Sequence, residues 1–588
     1  MRTAVIAAAR CHFLIRLKGE DAEMSNEKTV ISLAVSIFLL IFFASVSAPV
    51  PVASANSQNS PAALTGIVSS EAEGPMEGVL VSAKPAGGSI SITVVSDARG
   101  LYSFSADRLM PGRYRLAIRA IEYDAADPDI QVTVGKGKSE ADIKLNRTRD
   151  LAAQLTDVEW LMSIPGTTEE KEHLFLTCSS CHTLGPVLES TYDVAGWMTT
   201  FERMRNWDQA GSIAKPMLSL DRATGVPFGN EEFAKYLSSL NLSSRSTHDF
   251  ELKKLPRPHG DDTKVVITEY DLPRPGAEPH DVVTDHEGMV WYSDFAEGIL
   301  GRLNPHTGEV KEWQDPSTKS GYPGGFQDLE WDREGVLWIA RHDINGIAKF
   351  DKNTEKFINF SVPREYETPD TKTSFLAPTP SGKVWIKSNS IHEDLFRLDP
   401  LTGEISRFDE YPAQRVDKDD GGPRRHQIYG ITVDSRGNLY EADWKGGTIV
   451  SLDGATGRAL MHPTPTSGSG PRRMHIDSED RLWIGEYNAQ KIAMFNTKTA
   501  QFREWAVPVP WYGPYDVAPD KDGNVWTGTM SSDLILRLNP RTGEFRQYLM
   551  PSLGVNVRRT EVDNSGARPV FWVGENHRAK IAKVEPIE

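Results

Sequence analysis

The clearest chemical signal in this sequence is a pair of cysteines followed directly by a histidine. Cys178 and Cys181 are two of the three cysteines in 588 residues, and His182 follows the second. Two thiols at this spacing can add to the vinyl groups of a haem, and the adjacent imidazole then lies under the iron as an axial ligand. The C-x-x-C-H pattern therefore predicts covalently attached haem c, and with it electron transfer.

Three other chemistries compete for the same thiols. A zinc site needs two more ligands of suitable type, and the chain has no second cysteine pair to supply them. A thioredoxin-type redox motif needs a βαβ context, which the surrounding sequence lacks. A structural disulfide between Cys178 and Cys181 stays open as an alternative, because an oxidising compartment permits one.

The sixth ligand of the predicted haem iron is sought among three methionines that follow the motif. Met198, Met204 and Met217 are the candidates, since methionine is a common partner opposite histidine in cytochromes c. The piece "GWMTTFERM" resembles a segment of small bacterial cytochromes in which a tryptophan precedes the ligand methionine by seven residues. Trp197 and Met204 have that spacing, so we expect Met204 to bind the iron, with Met217 as the alternative.

Paired arginines indicate a second kind of chemistry farther along the chain. The pairs fall where inner strands of a repeat would begin: Arg424–Arg425, Arg472–Arg473 and Arg558–Arg559. If the repeat brings them to one face, their guanidinium groups converge on a site for a carboxylate, sulfate or phosphate. The alternative is that alternate arginines pair with acids between neighbouring units.

The overall composition argues against one class of partner. The formal net charge is −16, which argues against nucleic-acid binding. A chain with this net charge can still have local basic patches. A chain of this length is too long for one core, so we expect several domains.

The first 55 residues read as an export segment. Thr29 to Ala48 is an uncharged, mostly apolar run preceded by Lys28, and small residues allow cleavage after Ala48 or Ala55. The alternative is an uncleaved membrane anchor, because 20 apolar residues can span a bilayer. Either reading places the rest of the chain outside the cytoplasm, in the periplasm or secreted, with contact to a membrane only if the segment is retained.

Residues 62–146 have the pattern of a small β-sandwich. Seven short alternating segments are separated by Gly, Asp and Pro turns. The wording "TGIVSSEAEGPMEGVLVSA" and "SDARGLYSFSADRLMPGRYRLAIRAIEYD" resembles the carboxypeptidase regulatory-like domain. That resemblance implies an accessory, adhesive or spacer role without chemistry of its own.

Residues 150–245 change to a helical period. "TTEEKEHLFLTC" has a threonine start and acids in its first turn, and "NEEFAKYLSSLNL" begins with a cap at Asn230. Three helices are expected here. The segment resembles the cytochrome c domains, because a helix runs directly into the thiol motif.

Residues 264–588 consist of seven repeats. An aromatic residue recurs about every 45 residues, the spacing of a four-stranded propeller blade, at Trp291, Trp338, Trp385, Tyr440, Trp483, Trp526 and Trp572. The seventh unit ends before its outer strand, while a matching strand at 265–273 precedes the first unit. Pairing these two would close a seven-bladed ring without an open edge. The fold class expected is therefore multidomain and mainly β: an Ig-like β-sandwich, a small all-α cytochrome c domain and a seven-bladed β-propeller.

The repeat wording resembles the streptogramin B (virginiamycin B) lyase family over all seven units. That family opens a cyclic depsipeptide by elimination, with a magnesium ion held by carboxylates and a histidine base on the axis. The corresponding residues here are Glu278, His280 and Asp294, in "EPHDVVTDHEGMVWYSD". The resemblance implies His280 as the proton acceptor and Glu278 and Asp294 as ligands of Mg²⁺. The family also uses a second histidine from a neighbouring blade; the equivalent positions here are Gln327 in the second unit and a position at about Arg559 in the last. The final acid is Asp294, where the family has Glu.

Three functions are compatible with these signals. The favoured one is an exported haem c electron-transfer protein whose propeller binds a small or anionic substrate or a redox partner protein. The second is a metal-dependent lyase acting at Glu278, His280 and Asp294. The third is a non-enzymatic binding protein. The fused haem motif favours the first, because an elimination needs no electron carrier.

Overall fold

The computed structural model describes residues 60–179, 183–205, 229–240, 250–316, 324–342, 344–366, 372–388, 394–408 and 427–587. The predictions on the export segment, Cys181, His182, Met217 and the pair Arg424–Arg425 lie outside these residues. Residues 56–588 form one compact unit. In the described ranges, no helix is long and apolar enough to cross a membrane.

The N-terminal domain is the expected Ig-like β-sandwich. One sheet has the order β2-β1-β10-β7, with β5 and β9 also on β1, and β4-β3-β6-β8 forms the facing layer. Its buried apolar residues include Leu64, Val81 and Tyr102. The ten strands β1–β10 are Ala62–Ser70, Gly74–Pro75, Leu80–Pro85, Ile90–Val95, Leu101–Ser105, Gly112–Arg119, Tyr123–Ala125, Ile130–Val134, Ser139–Glu140 and Ile143–Arg147.

The second segment is helical, and the described residues contain five helices where the sequence predicted three. The helices α1–α5 are Asp157–Ser163, Thr168–Thr177, Gly185–Leu188, Val194–Arg205 and Glu231–Leu240. The two predicted starts are confirmed. The Thr167 hydroxyl accepts a hydrogen bond from the Glu170 N–H (3.2 Å), and Asn230 Oδ1 accepts one from the Phe233 N–H (2.8 Å). Because the described residues contain five α-helices and 38 strands, the fold is mainly β.

The C-terminal region is a ring of four-stranded sheets. Blades 1 to 3 contain β12–β23: Pro279–Thr284, Val290–Asp294, Ile299–Leu303, Val310–Gln314; Phe326–Trp331, Leu337–Arg341, Gly346–Asp351, Lys356–Ser361; and Thr373–Pro378, Val384–Ser388, Leu395–Asp399, Glu404–Arg407. Blades 4 to 6 contain β24–β35: Ile428–Val433, Leu439–Asp443, Thr448–Leu452, Ala459–Pro463; Pro471–Ile476, Arg481–Glu486, Lys491–Asn496, Gln501–Ala506; and Asp516–Pro519, Val525–Gly528, Leu534–Asn539, Glu544–Leu549.

The predicted closure of the ring is present. Blade 7 contains β36–β38 (Val557–Asp563, Val570–Glu575 and Lys580–Pro586), and its fourth strand is β11 (Val265–Asp271) from the start of the region. Antiparallel pairing runs from Val265 opposite Pro586 to Asp271 opposite Lys580. The first and last strands therefore lock the seven blades together.

Sandwich and propeller share one sheet, which the sequence did not predict. Strand β4 pairs with β11, with Val94 opposite Val266 and Ile90 opposite Tyr270. The result is an eight-stranded sheet in the order β36-β37-β38-β11-β4-β3-β6-β8. The outer edge of blade 7 is thus covered by the sandwich.

A recurring aspartate and tryptophan fix the inner hairpin in blades 1, 2, 5 and 6. The carboxylate of Asp285 accepts from the backbone N–H groups of Glu287 and Met289 and from the indole N–H of Trp291 (2.8 Å). The same indole contact joins Trp483 to Asp477 and Trp526 to Asp520, each at 2.9 Å. This hairpin holds the inner strands, whose first residues form the site described next.

Candidate axial site and the helices that cover it

The inner strands place two layers of polar residues around the propeller axis. Strand register sets the following residues level with His280: Gln327, Ser374, Tyr429, Arg472, Tyr515 and Arg558. The next layer holds Asp281, Asp328, Phe375, Gly430, Arg473, Asp516 and Arg559. In the second blade, the residue equivalent to His280 is Gln327, as expected. In the seventh blade it is Arg558, whereas the sequence suggested about Arg559.

His280 is held by its own neighbour in the chain. Its imidazole is fully buried, and Nδ1 lies 2.6 Å from Asp281 Oδ1. Burial lowers the pKa of His280 well below its usual value, and the nearby Arg558 and Arg473 lower it further. The ring is therefore neutral, with Nδ1–H donating to the carboxylate. Nε2 has no hydrogen-bond partner among the described residues, so its lone pair is available to accept a proton.

The second residue of each described arginine pair forms a buried charge cluster. Arg473 Nη1 lies 3.2 Å from Asp281 Oδ2 and 3.3 Å from Asp328 Oδ1. Arg559 Nη1 lies 3.3 Å and 3.0 Å from the same two atoms. Blades 5 and 7 thus supply cations to carboxylates of blades 1 and 2. For these two arginines, pairing with acids of other blades is what the structure shows.

The first residue of each pair has different surroundings. Arg472 Cζ lies 4.3 Å from the ring centroids of Tyr429 and Tyr515 and 4.5 Å from that of Tyr487. Its Nη2 donates to the Tyr429 hydroxyl oxygen at 2.9 Å, and that hydroxyl is 2.7 Å from the Tyr515 hydroxyl. Arg558 also faces aromatic rings, with Cζ 5.6 Å from Phe295 and 6.0 Å from Tyr515. These residues form an aromatic and cationic mouth beside His280.

The expected metal ligands are not gathered around His280. Both carboxylate oxygens of Asp294 are engaged: Oδ2 pairs with Arg274, and Oδ1 accepts from the N–H groups of Ala296 (2.9 Å) and Glu297 (3.1 Å). Glu278 is buried in the loop before β12. Within the described ranges, no group of three or more His, Cys, Asp or Glu side chains is arranged to hold a metal ion. This donor set does not fit the expected Mg²⁺, because Asp294 serves a network with Arg274.

The helical segment lies against this mouth. Phe175 of α2 stacks on Tyr487 at a centroid distance of 4.9 Å and an interplanar angle of 9°. Tyr487, Tyr515 and Met530 of the propeller belong to the same apolar cluster as the buried residues of the helices. The helix that leads into the thiol motif therefore packs on a ring that also contacts Arg472.

The surroundings of Cys178 are buried and apolar. Cys178 caps the C-terminus of α2 and is only 5% exposed. It shares an apolar cluster with Trp197, Phe201 and Phe233. Trp197 and Met204 both lie on α4, where a spacing of seven residues puts them on one face. The described donors and lining are compatible with a haem.

Sequence reasoning missed most of the partners in this site. Asp281 follows His280 directly, and adjacent residues on a regular strand point to opposite faces, so no contact was expected. Tyr429, Tyr487 and Tyr515 come from three different blades. The only sequence signal for them is their position in the repeat. Tyr429 and Tyr515 lie at the start of an inner strand, and Tyr487 directly follows the second strand of its blade.

Two segments of the chain match known protein families. Residues 63–146 match the carboxypeptidase regulatory-like domain, and residues 414–587 match the virginiamycin B lyase family. The sandwich is thus a carboxypeptidase regulatory-like domain, and the propeller is virginiamycin B lyase-like. No curated protein matches the chain.

Two solved structures illustrate the propeller's likeness. A streptogramin B lyase structure is 19% identical, with a TM-score of 0.48, over 55% of this chain and 99% of that one. A selenomethionine-substituted virginiamycin B lyase from Staphylococcus aureus is 18% identical, with a TM-score of 0.47, over 54% of this chain and 99% of that one.

Proposed function

We propose that this protein is an exported haem c electron-transfer protein whose propeller mouth binds a small anionic molecule beside the haem-bearing helices. The observation that carries the proposal is the contact between the two sites. Helix α2 ends at Cys178 and stacks Phe175 on Tyr487 (4.9 Å), and the Tyr487 ring lies 4.5 Å from Arg472 Cζ. A redox group at Cys178 would thus sit on the element that covers the anion-binding mouth.

The chain supplies residues to hold the haem. Cys178 and Cys181 would attach it covalently, and His182 and Met204 would bind its iron, with Met217 as the alternative to Met204. When bound, the haem supplies one-electron exchange at its iron. Apolar side chains around Cys178 exclude water, which favours a defined potential at such a site.

Residues of the propeller would bind and orient the molecule. Arg472 and Arg558 supply positive charge at the mouth, and the neighbouring tyrosines supply flat apolar surface and hydroxyl groups. His280 would accept a proton at Nε2, since Asp281 holds its Nδ1–H. The bound molecule would be the electron donor and a redox partner protein outside the cytoplasm the final acceptor, in keeping with the expected export segment. The negative net charge argues against nucleic acid as a partner.

A lyase-like reaction is the second candidate, supported by the family match of residues 414–587 and by the His280–Asp281 pair. In an elimination, His280 Nε2 would take a proton from carbon while the leaving group departs with its bonding electrons and a double bond forms. That reaction needs no electron carrier, so it would survive loss of the thiols.

The deciding experiment is expression in a host that matures c-type cytochromes. We expect a mass increase of one haem and a reduced-minus-oxidised spectrum, both lost in Cys178→Ala/Cys181→Ala. A colourless protein with the mass of the bare chain contradicts the electron-transfer proposal.

His280 is then tested separately. His280→Gln should abolish turnover by either reaction, whereas exposed His306→Gln should not. Turnover that persists without the haem and requires His280 would establish the lyase. Partner capture without either activity would indicate a binding protein.

A further inference from the structure

Arg472 is a buried cation without a carboxylate partner in the described part of the chain. It is 7% exposed, and its guanidinium group lies against the side chains of three tyrosines and a tryptophan. Arg473, the next residue, is equally buried but lies against two aspartates. The same strand therefore carries one neutralised arginine and one whose charge is not neutralised by an acid.

The groups around Arg472 leave part of its hydrogen-bonding capacity unused. Nη2 donates to the Tyr429 hydroxyl at 2.9 Å, while Nε has no partner in the described residues. The rings of Tyr429, Tyr487 and Tyr515 stabilise the cation through their faces, a weaker effect than a carboxylate provides. Burying a charge without a counter-ion is unfavourable, so the arrangement is suited to binding an anion.

We propose that Arg472, caged by Tyr429, Tyr487 and Tyr515, binds a single carboxylate group. The guanidinium fork matches a carboxylate in plane and spacing. Because the Tyr429 and Tyr515 hydroxyls are hydrogen-bonded to each other, one of their two O–H groups remains as a further donor. Arg558, whose Cζ lies 6.0 Å from the Tyr515 ring centroid, adds positive charge near the same position. This inference deepens the proposed function, on whose mouth it rests, by naming the chemical group that is bound.

Two sources of that carboxylate are compatible with the geometry. One is a carboxylic acid substrate. The other is a propionate of a haem at Cys178, because Phe175 of the same helix stacks on Tyr487, a wall of the cage. Both make the same contact with Arg472, and the experiment below separates them.

An internal counter-ion is the competing explanation. Burial raises the pKa of the Tyr429 phenol, but Arg472 and Arg558 more than offset this and lower it overall. If Tyr429 ionised at neutral pH, its phenolate would neutralise Arg472 and no ligand would be required.

The first arm measures benzoate binding by calorimetry to the full chain carrying Cys178→Ala and Cys181→Ala, with benzamide as the uncharged control. We expect benzoate to bind and benzamide not to bind. Arg472→Gln should weaken benzoate binding by about 10- to 100-fold. Arg503→Gln is the matched control, since Arg503 stacks on Trp505 (4.5 Å) on the exposed outer strand of the same blade. If Arg472→Gln does not fold, Arg472→Lys retains the charge without the fork and should still weaken binding.

The second arm uses the protein with haem attached. If a propionate occupies the cage, benzoate binds only the thiol-free variant, and Arg472→Gln shifts the haem midpoint potential. If the substrate supplies the carboxylate, benzoate binds both forms and the potential is unchanged. A chain that never acquires haem would refute the electron-transfer proposal while leaving the first arm fully informative.

Three results would contradict carboxylate binding by Arg472. One is absence of benzoate binding to the thiol-free variant, and another is equal binding by wild type and Arg472→Gln. The third is a tyrosinate absorbance band at neutral pH that disappears in Tyr429→Phe, because the cation would then be neutralised from within.

Discussion

Nδ1 of His280 lies 2.6 Å from Oδ1 of Asp281, the next residue in the chain. Neighbours on a regular strand point to opposite faces, so this contact requires an irregular backbone. The register between β12 and β13 shifts between Pro279 and Val282, which marks a bulge at that place. The bulge turns both side chains toward the axis and produces the His–Asp pair.

The same irregularity recurs around the ring. Register shifts begin at the first paired residue of the inner strand in other blades, namely Phe326, Thr373, Ile428, Pro471 and Val557. Bulges are common next to functional sites because they re-aim side chains. Here they allow Arg472 to face the aromatic mouth while Arg473, the next residue, enters the charge cluster.

Asp281 is expected to be the most sensitive carboxylate of the axial site. It orients His280 and also lies within 3.3 Å of Arg473 and Arg559. Asp281→Asn should lower the free energy of unfolding by about 3–5 kcal/mol, because it leaves buried arginines short of a counter-charge. Urea unfolding measures this, with exposed Asp522→Asn as the control, which should change stability by less than about 0.5 kcal/mol. A similar loss in both variants would contradict the cluster's role.

The fold could largely be predicted from periodicity, because each blade repeats the same local solution. In four of the blades, the aspartate and tryptophan spacing reflects a hydrogen bond across the inner hairpin, as between Asp285 and Trp291. The closing strand was predictable from the missing outer strand of the seventh unit. The β4–β11 pairing was not, because any two strand edges with alternating side chains are compatible and sequence does not say which ones meet.

The site was less predictable than the fold. His280 was identified, but its partner Asp281 depends on a bulge that leaves no composition signal. Asp294 was expected to bind a metal ion. Its actual partner, Arg274, lies 20 positions earlier and could not be foreseen from the sequence. The cage of Arg472 depends on rings from three blades, a relation set by tertiary structure alone.

The shared sheet should couple unfolding of the sandwich to that of the propeller. Thr93 on β4 is fully buried and pairs with Ile267 on one side and Ser82 on the other. Thr93→Pro removes a ladder hydrogen bond from a central strand and should separate one calorimetric transition into two. Gln131→Pro, on the edge strand β8, is the control and should leave a single transition. Independent unfolding already in the wild type would refute the coupling.

Glu486 should make blade 5 sensitive to pH. Burial raises the pKa of its carboxyl from 4.5 to about 8, and the Glu504 carboxylate adds to the rise. The folded chain then holds this proton more tightly than the unfolded one. The stabilisation is complete below about pH 4.5 and is lost as the pH rises through about 8.

Glu486→Gln should therefore flatten this dependence and exceed wild type in stability at pH 8.5, by an amount on the order of a few kcal/mol. Unfolding free energies from pH 5 to 8.5 test this, with exposed Glu479→Gln as the control. Parallel curves for wild type and Glu486→Gln would show that the carboxyl titrates normally.

Docking of the helices on the propeller should depend on Phe175. Its ring stacks on Tyr487 at 4.9 Å and lies 6.1 Å from Trp511, whereas Phe233 stacks on His173 at 4.0 Å within the helical segment. Each change to alanine should cost about 3–5 kcal/mol, since each removes a buried aromatic ring.

Only Phe175→Ala should free the helices from the propeller. We expect faster protease cleavage between the helices and the first blade, with an unchanged unfolding midpoint for the propeller itself. Phe233→Ala should instead loosen the helices internally while the Tyr487 surface stays covered, so tyrosine accessibility to chemical iodination separates the two. Equal protection of Tyr487 in both variants would mean that Phe175 does not anchor the helices, and the link between the thiol-bearing helix and the arginine mouth would lose its structural basis.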